Sequence, residues 1–203
     1  MESISTTSSI YETNYIYTNN WFESQRSIHE KFLNTINYTD NPIKILEIGS
    51  HEGRSSVFFS KYLVNKDSTL TCIDPYLSED TTSPVNSKTF DIYKHNIKLT
   101  CKESQIFLEK NYSFDTLLKL YLEQKIFDYI LIDGSHLSKD VIEDAILSFK
   151  LLRQGGIMFF DDYNGGDVNS LGFPKIGIDS FINSFRNKIE ILHVQYHYII
   201  KKL

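Results

Sequence analysis

Five carboxylates stand at or just beyond the ends of apolar runs: Glu47 in KILEIG, Asp74 in LTCID, Asp133 in FDYILID, and the pair Asp161 and Asp162 after IMFF. A histidine, His136, follows Asp133 in the string DGSH, and Tyr163 follows the acid pair. Acids crowded at one place repel one another, which raises a pKa or invites a cation. Oxygen donors alone favour a hard ion such as Mg²⁺. A histidine beside them has the right ordinary pKa to take a proton near neutral pH.

A glycine loop precedes these acids. The string EIGSHEGRSS places Gly49 and Gly53 four apart, with Glu47 two residues before the first glycine. The two glycines allow a tight turn and a close backbone approach to a ligand. The spacing is not the G-x-G-x-x-G of dinucleotide sites, and an acid so near would repel a pyrophosphate. Glu47 suits a cation such as an α-ammonium group, and Asp74 suits ribose hydroxyls. Together they point to an adenosine ligand without phosphates.

Alternating elements must position these groups. Short apolar runs at 44–49, 70–74, 127–133 and 157–160 read as buried strands. Segments 53–63, 86–97, 139–152 and 178–185 read as helices, the third with Val141, Ile142, Ala145 and Phe149 at helical spacing. A short strand is expected at 98–102, a helix over 104–122, and one or two strands around Gln195. Gly155–Gly156 should stop the long helix. Strands that are apolar on both faces and alternate with helices mean a parallel sheet covered on both sides. Neighbouring strands lie roughly 4.8 Å apart, so Asp133 and the Asp161–Asp162 pair should meet at one sheet edge. His193 and His197, expected within strands, read as structural.

The 203 residues, 41% of them hydrophobic, suit one domain, and the net charge of −5 with scattered Lys and Arg disfavours phosphate-led nucleic-acid binding. Residues 1–40 read as an N-terminal arm and helix, either a lid on the site or a dimer contact, and 41–203 as the catalytic domain. Cys72 and Cys101 read as buried free thiols in a reducing, cytoplasmic setting. No run of 18 apolar residues spans a membrane, and the polar N-terminus is no secretory signal.

EIGSHEGRSS, CIDPY, IDGSH, LLRQGG and FDDY together resemble class I S-adenosylmethionine-dependent methyltransferases, and within them the small-molecule and sugar O-methyltransferase branch. The likeness covers about 43–163. It implies an α/β, Rossmann-like, doubly wound and mostly parallel sheet of about seven strands, order 3-2-1-4-5-7-6, with helices on both faces. It implies that Glu47, Gly49, Ser50 and Gly53 line the methionine part of S-adenosylmethionine, that Ser55 also binds the cofactor, and that Asp74 takes the ribose. Glu103 and Ser104, after the third strand, would meet the adenine, with Asp133 and His136 beside the cofactor. Asp133, Asp161 and Asp162 would bind Mg²⁺.

In that branch the motif after strand four tends to read DGD, the second Asp being the base. Here Ser135 and His136 stand there, so either His136 is the base, with Asp133 and Asp161 as its catalytic partners, or the acids act without metal. The expected activity is methyl transfer to a hydroxyl of a small molecule, a sugar or nucleotide-sugar being the leading class. An RNA or protein methyltransferase and a non-catalytic ligand-binding module are the alternatives.

Overall fold

The structure, a computed structural model, describes residues 14–76, 88–165 and 173–203. The first thirteen residues of the expected N-terminal arm lie outside the described residues, as do 77–87 and 166–172. Among the described residues, seven strands form one sheet in the order β3-β2-β1-β4-β5-β7-β6. β1 (Lys44–Ile48), β2 (Thr69–Ile73), β3 (Ile106–Glu109), β4 (Phe127–Ile132) and β5 (Leu152–Phe160) run parallel. β6 (Ile189–Val194) and β7 (Tyr198–Lys202) form a hairpin whose β7 pairs antiparallel with β5. The helices are α1 (Arg26–Leu33), α2 (Arg54–Ser60), α3 (Thr89–Leu99), α4 (Ser113–Leu122), α5 (Ser138–Leu151) and α6 (Pro174–Phe185).

Period-two alternation sends successive side chains to opposite faces, and both faces are apolar. Leu46, Ile48, Ile130, Ile132, Met158 and Phe160 pack with residues of α4, α5 and α6. Ile45, Tyr129, Leu131, Ile157 and Phe159 pack on the other side with α1, α2 and α3. No helix among the described residues is long and apolar enough to cross a membrane.

Four local expectations are corrected. Segment 98–102 is not a strand: α3 runs to Leu99, Thr100 Oγ1 donates back to the Ile97 carbonyl (2.6 Å), and Cys101 takes a left-handed φ of 55°. The third strand is Ile106–Glu109, inside the segment expected as helix, because β2 offers it a free edge (Leu70↔Ile106 to Ile73↔Glu109). Cys101 is therefore exposed in a turn, and Cys72 alone is buried. β5 begins at Leu152, straight after α5. The irregular register between Phe127 and Tyr129 absorbs the Gly155–Gly156 excursion, with Gly155 at φ 73°.

Candidate active site

The C-terminal edge of the parallel strands, where such sheets bind ligands, gathers most of the expected groups. Gly49 turns the chain with φ 87°, and a Cβ there would sit 1.9 Å from the Asp133 carbonyl oxygen. Only glycine lets the loop after β1 press so closely on the loop after β4. Gly53 (φ 79°) then opens α2, backed by the Tyr93 ring. Asp74 fastens this turn. Its Oδ2 accepts the Ser50 and His51 amides (3.0 and 2.9 Å), and its Oδ1 accepts the Tyr76 amide (2.9 Å).

Beneath the turn lies Glu47, fully buried in β1, with one oxygen held by the Ser56 hydroxyl. Burial pushes its carboxyl up, opposed by the polar side chains around it, those of Ser55 and Ser56 foremost. Its second oxygen, Oε1, and the buried Ser50 hydroxyl have no protein partner. A buried carboxylate oxygen left unpaired is costly, so these orphaned atoms fit a ligand that brings a cationic donor.

The acids after β4 and β5 do meet, but they divide the work. Asp133 sits half-buried beside Asp161 and Asp162, and burial followed by those two charges drives its carboxyl well above the usual carboxylate range. Asp162 has a left-handed φ of 50°, which Asp tolerates better than most residues. Asp162 Oδ2 lies 2.7 Å from His136 Nε2, and its Oδ1 accepts the Tyr196 hydroxyl at 2.7 Å. The His136 bond holds Asp162 below its ordinary pKa, and the same bond lifts His136 above the ordinary histidine value.

Asp161, beside Asp133, has further partners of its own. Its Oδ2 accepts the Gln25 side-chain amide at 2.9 Å, and its Oδ1 accepts the Asp162 backbone N–H at 2.8 Å. His197 Nδ1 approaches the same Oδ1 to 2.6 Å, an ion-pair distance with its N–H not aligned for a hydrogen bond.

One potential metal set among the described residues is Asp133, His136 and Asp162, with candidate ligand atoms within 4.8 Å of one another. This differs from the expected Asp133–Asp161–Asp162 set in having His136 in place of Asp161, whose oxygens lie against Gln25 and His197. Asp133 and Asp162 fit a hard cation as carboxylate donors, with water completing the shell. His136 is better matched to proton transfer, since imidazole prefers softer metals.

Glu47, Gly49, Ser50, Gly53, Ser55 and Asp74 all lie at or under the β1–β2 end of this edge. Glu103 and Ser104 do not. They form a 3₁₀ turn before β3, and the next residue, Gln105, donates to the Asn65 and Ser68 carbonyls that precede β2. That is the N-terminal edge, a strand length from Gly49, because the third strand begins later than expected. The contributions of Gln25, Tyr196 and His197 escaped the sequence reading. A polar residue at the start of α1 and a hairpin turn carry no local mark of what they touch. His197, expected in a strand as a structural residue, stands in the β6–β7 turn against Asp161.

Comparison with known proteins agrees with this architecture. The chain is 30% identical over 139 residues to an uncharacterised protein of Acanthamoeba polyphaga mimivirus, a match covering 67% of this chain and 58% of that protein. The chain thus spans less than two thirds of that relative. An O-methyltransferase from Bacillus cereus, solved with SAH, superposes with a TM-score of 0.68 at 18% identity, over 92% of this chain and 84% of the other. The O-methyltransferase TomG of Streptomyces achromogenes, involved in tomaymycin synthesis and solved with SAM, gives 0.66 at 17% identity, over 87% and 79%. These likenesses show a shared fold. Residues 46–163, from the middle of β1 through the acid pair to Tyr163, match the model of a methyltransferase domain, and the chain belongs to that methyltransferase domain family.

Proposed function

We propose that this chain transfers the methyl group of S-adenosylmethionine to a hydroxyl of a small molecule, with a sugar or nucleotide-sugar as the acceptor class. One observation carries the reading. The Gly49 turn, with the orphaned Glu47 oxygen beneath it, packs directly on Asp133, so a ligand on that turn lies beside the Asp133–His136–Asp162 group. The SAM and SAH bound in the structural neighbours support the choice of cofactor. The sequence likeness to the sugar branch supports the acceptor.

In this reading Glu47 Oε1 receives the ammonium of the methionine moiety and Ser50 its polar neighbour. The expected Asp74 contact to the ribose uses the lone pairs its three backbone amides leave open. A sulfonium methyl is already a strong electrophile, so the chain's task is to position and deprotonate the acceptor. His136 takes the hydroxyl proton as the O–C bond forms and the C–S bond breaks, leaving S-adenosylhomocysteine. Asp162 orients the imidazole and stabilises its charged form, and Tyr196 holds Asp162. A Mg²⁺ held by Asp133 and Asp162 would lower the pKa of a coordinated hydroxyl.

The test is incubation with ¹³C-methyl S-adenosylmethionine and a panel of sugars and nucleotide-sugars, read by mass spectrometry, with Mg²⁺ and with EDTA. Label on a hydroxyl oxygen is expected. Label only on RNA or protein side chains overturns the acceptor, and unchanged turnover in EDTA removes the metal.

A further inference from the structure

Asp161 is linked to the far face of the sheet by a buried polar chain. Gln25 is buried at the start of α1, with Nε2 on Asp161 Oδ2 and Oε1 3.1 Å from His29 Nε2. His29, with no exposed surface, places Nδ1 2.8 Å from the Tyr129 hydroxyl of β4 and stacks on Phe159 at 4.0 Å between ring centroids. Tyr129 is fully buried too.

The directions of these bonds follow from donor chemistry. The Gln25 nitrogen must face the carboxylate, since the amide oxygen there would set acceptor against acceptor. Gln25 Oε1 is then an acceptor, so His29 Nε2 carries the hydrogen. Burial lowers the His29 pKa well below its ordinary value, so the ring is neutral and has one N–H only. Nδ1 is therefore an acceptor, and the Tyr129 hydroxyl donates to it. Every link donates toward Asp161, from Tyr129 to His29 to Gln25. Bonds aligned this way polarise one another.

We propose that Gln25 is a positioning residue for the reaction: as the last member of this one-way chain it fixes the orientation of the Asp161 carboxylate beside Asp133 and the Asp162–His136 pair. The N-terminal segment thereby contributes to the reacting edge, although none of its side chains need touch substrate. The inference rests on the methyl-transfer reading for its catalytic consequence, while the network itself is independent of it.

The experiment uses the full chain, with and without saturating S-adenosylhomocysteine. Two nearly isosteric variants are compared, Gln25→Met, which removes the donor to Asp161, and Tyr129→Phe, which deletes one hydroxyl three links away. Side-chain ¹³C NMR of the Asp carboxyl carbons is the first readout. Both variants are expected to shift the Asp161 signal while Asp162 stays in place. With an acceptor found in the panel above, Gln25→Met is expected to lower kcat about tenfold or more, the scale of a small misplacement, with cofactor affinity within about twofold. An Asp161 signal unmoved in both variants overturns the network. A loss of cofactor affinity that matches the loss of turnover overturns the positioning role in favour of a structural one. Absence of turnover in the wild-type chain with the NMR response intact refutes the hydroxyl-transfer reading instead.

Discussion

Replacing Gly49 by alanine strikes both the fold and the site. At φ 87° an alanine pays the left-handed penalty, about 1–2 kcal/mol. Its Cβ would also stand 1.9 Å from the Asp133 carbonyl oxygen, 2.5 Å from the Asp133 carbonyl carbon and 2.9 Å from the Gly134 Cα. All three obstacles are backbone, so no rotamer relieves the clash, and the loops after β1 and β4 must part. Forced overpacking of this kind costs about 1–3 kcal/mol more. The sum, roughly 2–5 kcal/mol, is a large share of a usual domain stability of about 5–15 kcal/mol. For a chain of this length it lowers Tm by about 4–20 °C. Gly134→Ala is the control. A Cβ there meets the Ile48 side chain at 3.1 Å, a contact that can yield. Urea denaturation gives the two stabilities, and calorimetry gives S-adenosylhomocysteine affinity. Gly49→Ala is expected to lose several kcal/mol and most of the cofactor binding, and Gly134→Ala much less of both. Equal stabilities for the two variants, with cofactor binding intact, would refute the close-approach argument.

His136→Gln should lower turnover by about 100-fold or more, the usual scale for losing a general base, with cofactor affinity nearly unchanged. Because Asp162 raises the His136 pKa, the acid limb of a kcat/KM profile should lie above the ordinary histidine value and move down in Asp162→Asn; an unmoved limb excludes His136 as the titrating base. Asp144, buried in α5 with one oxygen unpartnered, has a pKa pushed up to about 7, first by burial. Its folded value exceeds the unfolded one, so the native state favours the protonated acid. Stability should fall as pH rises from about 4 to about 7, measured by urea denaturation at several pH values, and Asp144→Asn should flatten that fall. A variant as pH-dependent as the wild-type chain would assign the slope to other groups.

The layout of the sheet and the acids at its edge are legible in the sequence, because both depend on local pattern. Apolar runs ending in Gly49, Asp74, Asp133 and Asp161 mark strand ends whatever packs on them. Where pattern is ambiguous, tertiary pairing decides. Ile106–Glu109 has no alternation to separate strand from helix, and only the free edge of β2 makes it a strand. That shift carries Glu103 and Ser104 to the opposite edge. The parting of Asp161 from Asp162 depends on one left-handed residue and on two partners, Gln25 and His197, from distant elements. Sequence spacing places both acids together and says nothing of which way each faces. Among the described residues, His136 rather than Asp161 groups with Asp133 and Asp162 for the same reason.

The claim on which the account turns is that the Gly49 edge is a cofactor site with Glu47 as its buried counter-charge. Calorimetric titration of the folded chain with S-adenosylhomocysteine tests it most directly. The account predicts saturable one-to-one binding that Glu47→Gln weakens by about 10- to 100-fold, the scale of one charge-assisted hydrogen bond. No binding heat over a range of temperatures, or an affinity indifferent to Glu47→Gln, would contradict it.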